Sequence, residues 1–159
     1  MKVKLCIILL GVSLMSGCTR TARLYPVQGP LFVQTPSLVL LAKVTGAFNS
    51  GNITVALSDG EVCKGHWAVV PRTATPVSAP AVAAPIANSL SPVWDTVYGS
   101  GFFVSHVLGT RLYVRAVATG NRGTILNVEM YRPDTPEVNL STVRGIAQDN
   151  KGNIYKLVF

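Results

Sequence analysis

The chain has 159 residues, 48% of them hydrophobic and only 13% charged, and its 14 basic and 7 acidic residues give a net charge of +7. That length holds one domain, and the apolar share excludes a disordered tail as its main content. Three cysteines are too few for a disulfide-dense scaffold.

The first predicted element is a leader. Lys2 and Lys4 form a short basic start, followed by an uncharged, mostly apolar run from Leu5 to Gly17. A membrane-spanning helix needs about 20 apolar residues, so this shorter run fits the core of a secretory signal instead. It ends in Leu14-Met15-Ser16-Gly17-Cys18, followed by Thr19-Arg20. This ending resembles the bacterial lipobox, with Met15 where that motif prefers leucine. The resemblance implies a signal peptide over 1–17 and a diacylglycerol thioether on Cys18. With Thr19 rather than aspartate after the cysteine, it also implies sorting to the outer membrane. The alternative is an ordinary secretory signal beside a chance cysteine. No second apolar run of 18 or more follows, so nothing after Cys18 need cross a bilayer as a helix.

The leader holds two lysines and no acid, so the remaining 12 basic and 7 acidic residues leave the mature chain at +5. The basic residues are spread out, with no run of four, which argues against specific nucleic-acid binding. In an envelope, such a surface suits a solvated exterior or contact with anionic lipid headgroups or polymers. Cys63 is left without an intrachain partner if Cys18 is acylated, and is expected to be buried.

Residues 18–35 read as a lipidated tether, ordered only from about Leu24-Tyr25, with Pro26, Gly29, Pro30 and Pro36 arguing against a helix. A single β domain is expected over 36–159. Residues 37–48 read as a strand with Leu38, Leu40, Ala42, Val44, Gly46 and Phe48 on one face. Over 52–58, Ile53, Val55 and Leu57 alternate with Asn52, Thr54 and Ser58; over 61–70, Cys63, Gly65, Trp67 and Val69 oppose Lys64 and His66. Residues 71–92 interleave prolines with Ala, Ser, Thr and Val. They read as an extended insert, either a spacer or partner-binding segment or a tolerated surface loop. Over 93–108 two readings stay open. One is a short helix begun at Ser91-Pro92, with Trp94 and Tyr98 on one side and Gly99-Ser100-Gly101 ending it. The other is a bulged strand. Residues 111–119 with 124–132, and 142–148 with 153–159, read as hairpins.

Three turns end in glycine: Ser58-Asp59-Gly60, Asn121-Arg122-Gly123 and Asn150-Lys151-Gly152. A one-residue slip in register would turn every side chain to the opposite face. Matching faces therefore selects three-residue loops, with each glycine in the left-handed region. The expected pairs are Val55 with Cys63, Ile53 with Gly65, Arg115 with Glu129 and Tyr113 with Tyr131. The last hairpin sets Val143, Gly145 and Ala147 against Tyr155, Leu157 and Phe159. The expected fold is all-β: a small antiparallel barrel or sandwich of about seven or eight strands.

No catalytic set emerges. Cys63 and His66 fall on opposite strand faces, and a structural zinc site wants four ligands. Gly-x-Ser-x-Gly is absent, Gly99-Ser100-Gly101 lacks the third glycine of a dinucleotide fingerprint, and Glu129 is expected to pair with Arg115 rather than with a second carboxylate. No metal or cofactor is expected. The aromatic stretch 94–103 is the best candidate binding surface, through Trp94, Tyr98, Phe102 and Phe103. The competing reading is that these rings fill or close the barrel.

Three segments carry a wider resemblance. They are Asp59-Gly60-Glu61-Val62-Cys63-Lys64-Gly65-His66-Trp67, Gly120-Asn121-Arg122-Gly123-Thr124, and the run from Gly145 to Lys156 containing Asp149-Asn150-Lys151-Gly152-Asn153-Ile154-Tyr155. Together they resemble a group of small proteobacterial lipoproteins with the patterns Gly-Glu-x-Cys-x-Gly-x-Trp, Gly-(Asp/Asn)-Arg-Gly-Thr and Asp-x-x-Gly-Asn-x-Tyr-Lys. The resemblance spans most of the mature chain except the insert and implies no particular activity. The expectation is an outer-membrane-anchored, non-enzymatic binding or structural module. Its partners are the membrane through the N-terminal lipid, and an envelope protein or anionic polymer. The alternatives are an inhibitor of a secreted hydrolase, whose usual basic targets would repel a +5 chain, and a hydrolase using His106 with Asp95 or Ser100. The aromatic C-terminus, Tyr155 to Phe159, is a weak echo of a membrane-barrel end signal and is set aside, because the strands are short and few.

Overall fold

The computed structural model describes residues 19–47, 49–70, 90–134 and 139–159. The signal segment, Cys18, Phe48 and the insert over 71–89 lie outside the described residues. Eight strands form a closed antiparallel barrel in which each strand pairs with its sequence neighbours and β1 closes on β8. They are β1 (Thr19–Gln28), β2 (Leu40–Ala47), β3 (Ser50–Ala56), β4 (Val62–Val69), β5 (Leu112–Gly120), β6 (Ile125–Arg132), β7 (Arg144–Asp149) and β8 (Ile154–Val158). Closure leaves no unpaired edge.

The register follows face matching. Val55 pairs with Cys63 and Ile53 with Gly65; Arg115 pairs with Glu129 and Tyr113 with Tyr131; Gly145 pairs with Leu157 and Ala147 with Tyr155. Each of the three glycine turns is a three-residue loop. Its flanking residues bond across the turn, Leu57 N to Glu61 O at 2.8 Å, Gly120 N to Thr124 O at 2.7 Å and Asp149 N to Asn153 O at 3.0 Å. Gly60, Gly123 and Gly152 have φ of 82°, 89° and 86°, a region that costs glycine nothing and other residues strain.

Thr19–Gln28 is a correction to the tether. Ala22 and Leu24 point inward and are fully buried, and the strand pairs with both β2 and β8. The strand therefore replaces the expected tether over 19–28. A second correction follows at once, since Pro30–Gln34 forms a one-turn helix, α1. Proline suits the first helical position, where its missing N–H has no intrahelical partner anyway. The third correction concerns the end of the insert, because Ser91 and Pro92 open helix α2 (Ser91–Tyr98). A π-helical turn over Phe103–Val107 follows. Of the two readings of 93–108, the helical one holds.

Two cores result. Inside the barrel, small and medium residues, among them Ala22, Ala42, Val55, Cys63 and Leu126, interdigitate around the larger Tyr155. Outside it, α2 and the π turn cover the outer wall. Val93, Trp94, Phe103 and Val107 pack there on Tyr113, Tyr131, Ile146 and Ile154. Cys63 is a free, buried thiol, and its burial pushes its pKa up.

Candidate functional site at the open end of the barrel

The meander places the three glycine turns and the β1–β2 connection at one end, and both strand termini and the long connections at the other. The turn end is sealed. Leu31 of α1, Leu38 and Leu57 pack against the core there. The Asn153 side-chain oxygen accepts the Leu31 N–H at 2.8 Å, fastening α1 to the last hairpin.

The glycine turns and the residues beside them build this seal. Glu61 has no exposed surface. Its carboxylate accepts the Arg122 and Thr124 N–H groups and the Thr124 hydroxyl, and Lys151 Nζ stands 3.6 Å away. The Thr124 hydroxyl bond, helped by the two backbone donors and Lys151 and opposed by desolvation, lowers the Glu61 pKa from 4.5 to about 2. Asp149 does the same work in the last hairpin. It accepts the Lys151 and Asn153 N–H groups at 2.9 Å each, and the Asn153 amide and Tyr155 hydroxyl at 2.8 Å each. Because the folded-state pKa of Glu61 lies below its ordinary value, its contribution is complete above pH 4.5 and fades as pH falls from there towards 2. Urea midpoints should therefore separate wild type from Glu61→Gln at neutral pH and converge across that window; a gap that stays constant with pH would refute the cradle.

The opposite end is open. Inward-facing residues at the strand ends surround a cavity of about 340 Å³. Its wall includes Val44, Trp67, Val69, Val114, Met130 and Phe159, with Leu140 and Val143 from the β6–β7 connection. Trp67 lies across the β2–β3 wall, where its indole N–H donates to the Thr45 carbonyl at 3.0 Å. Gly46 and Gly51 leave room for it, since a Cβ on either would come within 2.9 Å of the ring. Two arginines complete the rim. Arg20 shares the inward face of β1 with Ala22 and Leu24, and pairs in register with Val44. Arg132 shares the inward face of β6 with Val128 and Met130, and pairs in register with Leu112.

No Asp or Glu side chain lines the cavity among the described residues, and neither arginine has an ion pair among them. Most acids are committed elsewhere: Asp59, Glu61 and Asp149 at the sealed end, Glu129 and Asp95 under and within the helical cover. Asp134 is exposed beyond β6.

Of the two readings of the aromatic stretch, the packing one describes Trp94 and Phe103. Trp94 is fully buried and Phe103 nearly so. The rings of Trp94, Tyr98, Phe102 and His106 stack in series, 4.6 Å between Tyr98 and Phe102 and 4.5 Å between Phe102 and His106. Tyr98 donates to the Gly145 carbonyl at 3.2 Å, and burial pushes its pKa up to about 12. A ring sealed against the barrel wall cannot stack on a ligand, so Trp94 and Phe103 hold the cover in place. Asp95 accepts the Phe103 N–H at 3.1 Å and starts the π turn, while His106 is the exposed end of the stack. Cys63 points into the barrel and His66 out of it, where His66 Nδ1 lies 3.3 Å from Asn52 Oδ1.

Arg132 could have been found by extending the β6 alternation past Met130. Arg20 could not, because reading 18–35 as a tether removes the strand that gives it an inward face. No family model, curated protein or solved structure matches the chain.

Proposed function

We propose that this chain is a lipid-anchored lipoprotein of the bacterial outer membrane that acts as a non-enzymatic binding module of the cell envelope. The observation that carries the reading is the open cavity at one end of a barrel otherwise sealed and covered. Eight-stranded barrels are just wide enough to be filled by side chains or to hold one small ligand, and this one is filled below and hollow at the mouth. Thr19 already sits in the ladder opposite Thr45, at the mouth end. A lipid on Cys18 would thus leave the protein within one residue of the cavity and turn the mouth towards the bilayer. The lipobox and the three-segment likeness to small proteobacterial lipoproteins support the anchor; the barrel architecture is compatible with it. Multiple acyl chains, at about 0.8 kcal/mol per buried CH₂, hold such a domain stably on a membrane.

Metabolic labelling with palmitate, followed by fractionation, tests this. Wild type should carry the label and sediment with outer membranes, whereas Cys18→Ser should lose the label and leave the outer-membrane fraction. A Cys18→Ser protein that keeps both would overturn the reading.

A further inference from the structure

We propose that the mouth cavity binds a long-chain fatty acid, with the alkyl chain in the barrel and the carboxylate at the rim between Arg20 and Arg132. The proposal rests on the binding-module reading and names its ligand.

Volume comes first. About 340 Å³ lies at the small end of the range for ligand cavities, roughly 300–1,000 Å³. It suits one alkyl chain and not the two of a diacyl phospholipid. The wall chemistry is the second argument. Val44, Val69, Val114, Met130 and Phe159 offer an apolar sleeve with almost no hydrogen-bonding capacity, which excludes sugars and peptides as the buried part. Charge is the third. Two guanidiniums stand at inward positions on β1 and β6, strands separated by β7 and β8 around the barrel. An arginine at the end of an otherwise apolar strand face contributes nothing to the core. Its planar fork matches a carboxylate, and such charge-assisted bonds strengthen where water is thinned out. No Asp or Glu side chain stands in the described lining against that positive field. Below the cavity, Ala147, Tyr155 and Leu126 close the barrel, so the tail can enter only from the mouth and the head must remain at the rim.

The test uses the full chain in intact cells supplied with a photoreactive, alkyne-tagged long-chain fatty acid, followed by irradiation, purification under denaturing conditions and mass mapping. The expected result is a light-dependent adduct of the free-acid mass on the peptides holding Trp67, Val114, Met130 or Val143. Probe built metabolically onto Cys18 is light-independent and confined to the N-terminal peptide, so the two are separable. The double variant Arg20→Gln/Arg132→Gln should lower the yield about tenfold, as expected for loss of charge-assisted hydrogen bonds. Val114→Phe should lower it similarly by filling the sleeve with both arginines intact. Thermal midpoints confirm that each variant folds, and the rim position of the arginines makes their double variant the safer of the two.

Adducts absent from the mouth, confined to 71–89, or undiminished in the double variant would overturn the proposal. An adduct carrying a glycerophosphate mass would also overturn it, by assigning the cavity to a lysophospholipid. Any of these results with Cys18→Ser still released from the outer membrane would remove the ligand and leave the anchored module standing. Retained labelling at the mouth with anchoring unaffected by Cys18→Ser would do the reverse.

Discussion

Glu129→Ala should lower stability by about 3–5 kcal/mol, the range for removing one partner of a buried charge pair. Glu129 faces outward from β6 yet is 2% exposed, because α2 lies over it. Its Oε2 accepts the Trp94 indole N–H at 2.8 Å, and its Oε1 accepts the Leu90 N–H at 2.9 Å and Arg115 Nε at 3.1 Å. One carboxylate thus binds the residue that caps the start of the helix, the largest ring of the outer core and the neighbouring strand. Alanine would strand a buried indole donor, a half-buried backbone donor and a guanidinium only about a quarter exposed. An unsatisfied buried donor costs about 1–3 kcal/mol, so the individual losses are consistent with the total. Trp94→Phe removes one donor and leaves only Glu129 Oε2 short of a bond, and should cost less, about 1–3 kcal/mol. Glu129→Gln should fall between, since its one amide oxygen can replace only one of the two accepting oxygens, its NH2 then opposes the donor on the other side, and Arg115 loses its counter-charge. Thermal or urea unfolding followed by far-ultraviolet circular dichroism reads all three. A Glu129→Ala protein within about 1 kcal/mol of wild type would mean that the cover is held by ring packing alone.

The parts of this fold that were legible in the sequence are those whose cause is local. Gly60, Gly123 and Gly152 each end a turn, and the faces of the flanking strands admit one register, so three of the barrel's strand pairings could be written down beforehand. Thr19–Gln28 was not legible for the opposite reason. Its alternation, Arg20, Ala22, Leu24, Pro26, begins with a charge and ends with a proline, and one of its two partners lies far away in the chain, with Arg23 pairing to Val158. Nothing near residue 23 announces a strand that closes a barrel onto the last residues.

The outer core was half legible. Trp94, Tyr98, Phe102 and His106 recur at helical spacing, which marks a helical face. What that face covers depends on Tyr113, Tyr131, Ile146 and Ile154, the outward residues of β5 to β8. Strands apolar on both faces signal a covering layer, and in the amino-acid order that signal is divided among four strands. The site was the least legible, because Arg20 becomes a rim residue only once β1 exists. The patterned segments led to the sealed end, where Glu61 and Asp149 act on backbone turns, and away from the mouth.

Gly65→Ala should cost about 3 kcal/mol or more, at the upper end of what overpacking does, and lower the thermal midpoint by about 10 °C. Gly65 lies mid-strand in β4, between Ile53 of β3 and Ala118 of β5. A Cβ there would stand 2.0 Å from the Val117 carbonyl oxygen and 2.6 Å from the Ala118 Cα. Both are backbone atoms of the adjoining strand, so no rotamer change relieves the clash; β4 and β5 would have to move apart. Such an approach marks a strand bent sharply at a barrel corner, where glycine is required by space rather than by turn geometry. In an open sheet the neighbouring strand could shift outward. Here each strand is bonded on both sides around a closed ring, so separating β4 from β5 strains every other pairing or opens the ring. Gly109→Ala is the matched control, because nothing lies within 4 Å of its position, and it should stay within about 0.5 kcal/mol of wild type. Equal stability for the two variants would show that the corner yields, and with it that the barrel tolerates an opened β4–β5 seam beside the cavity.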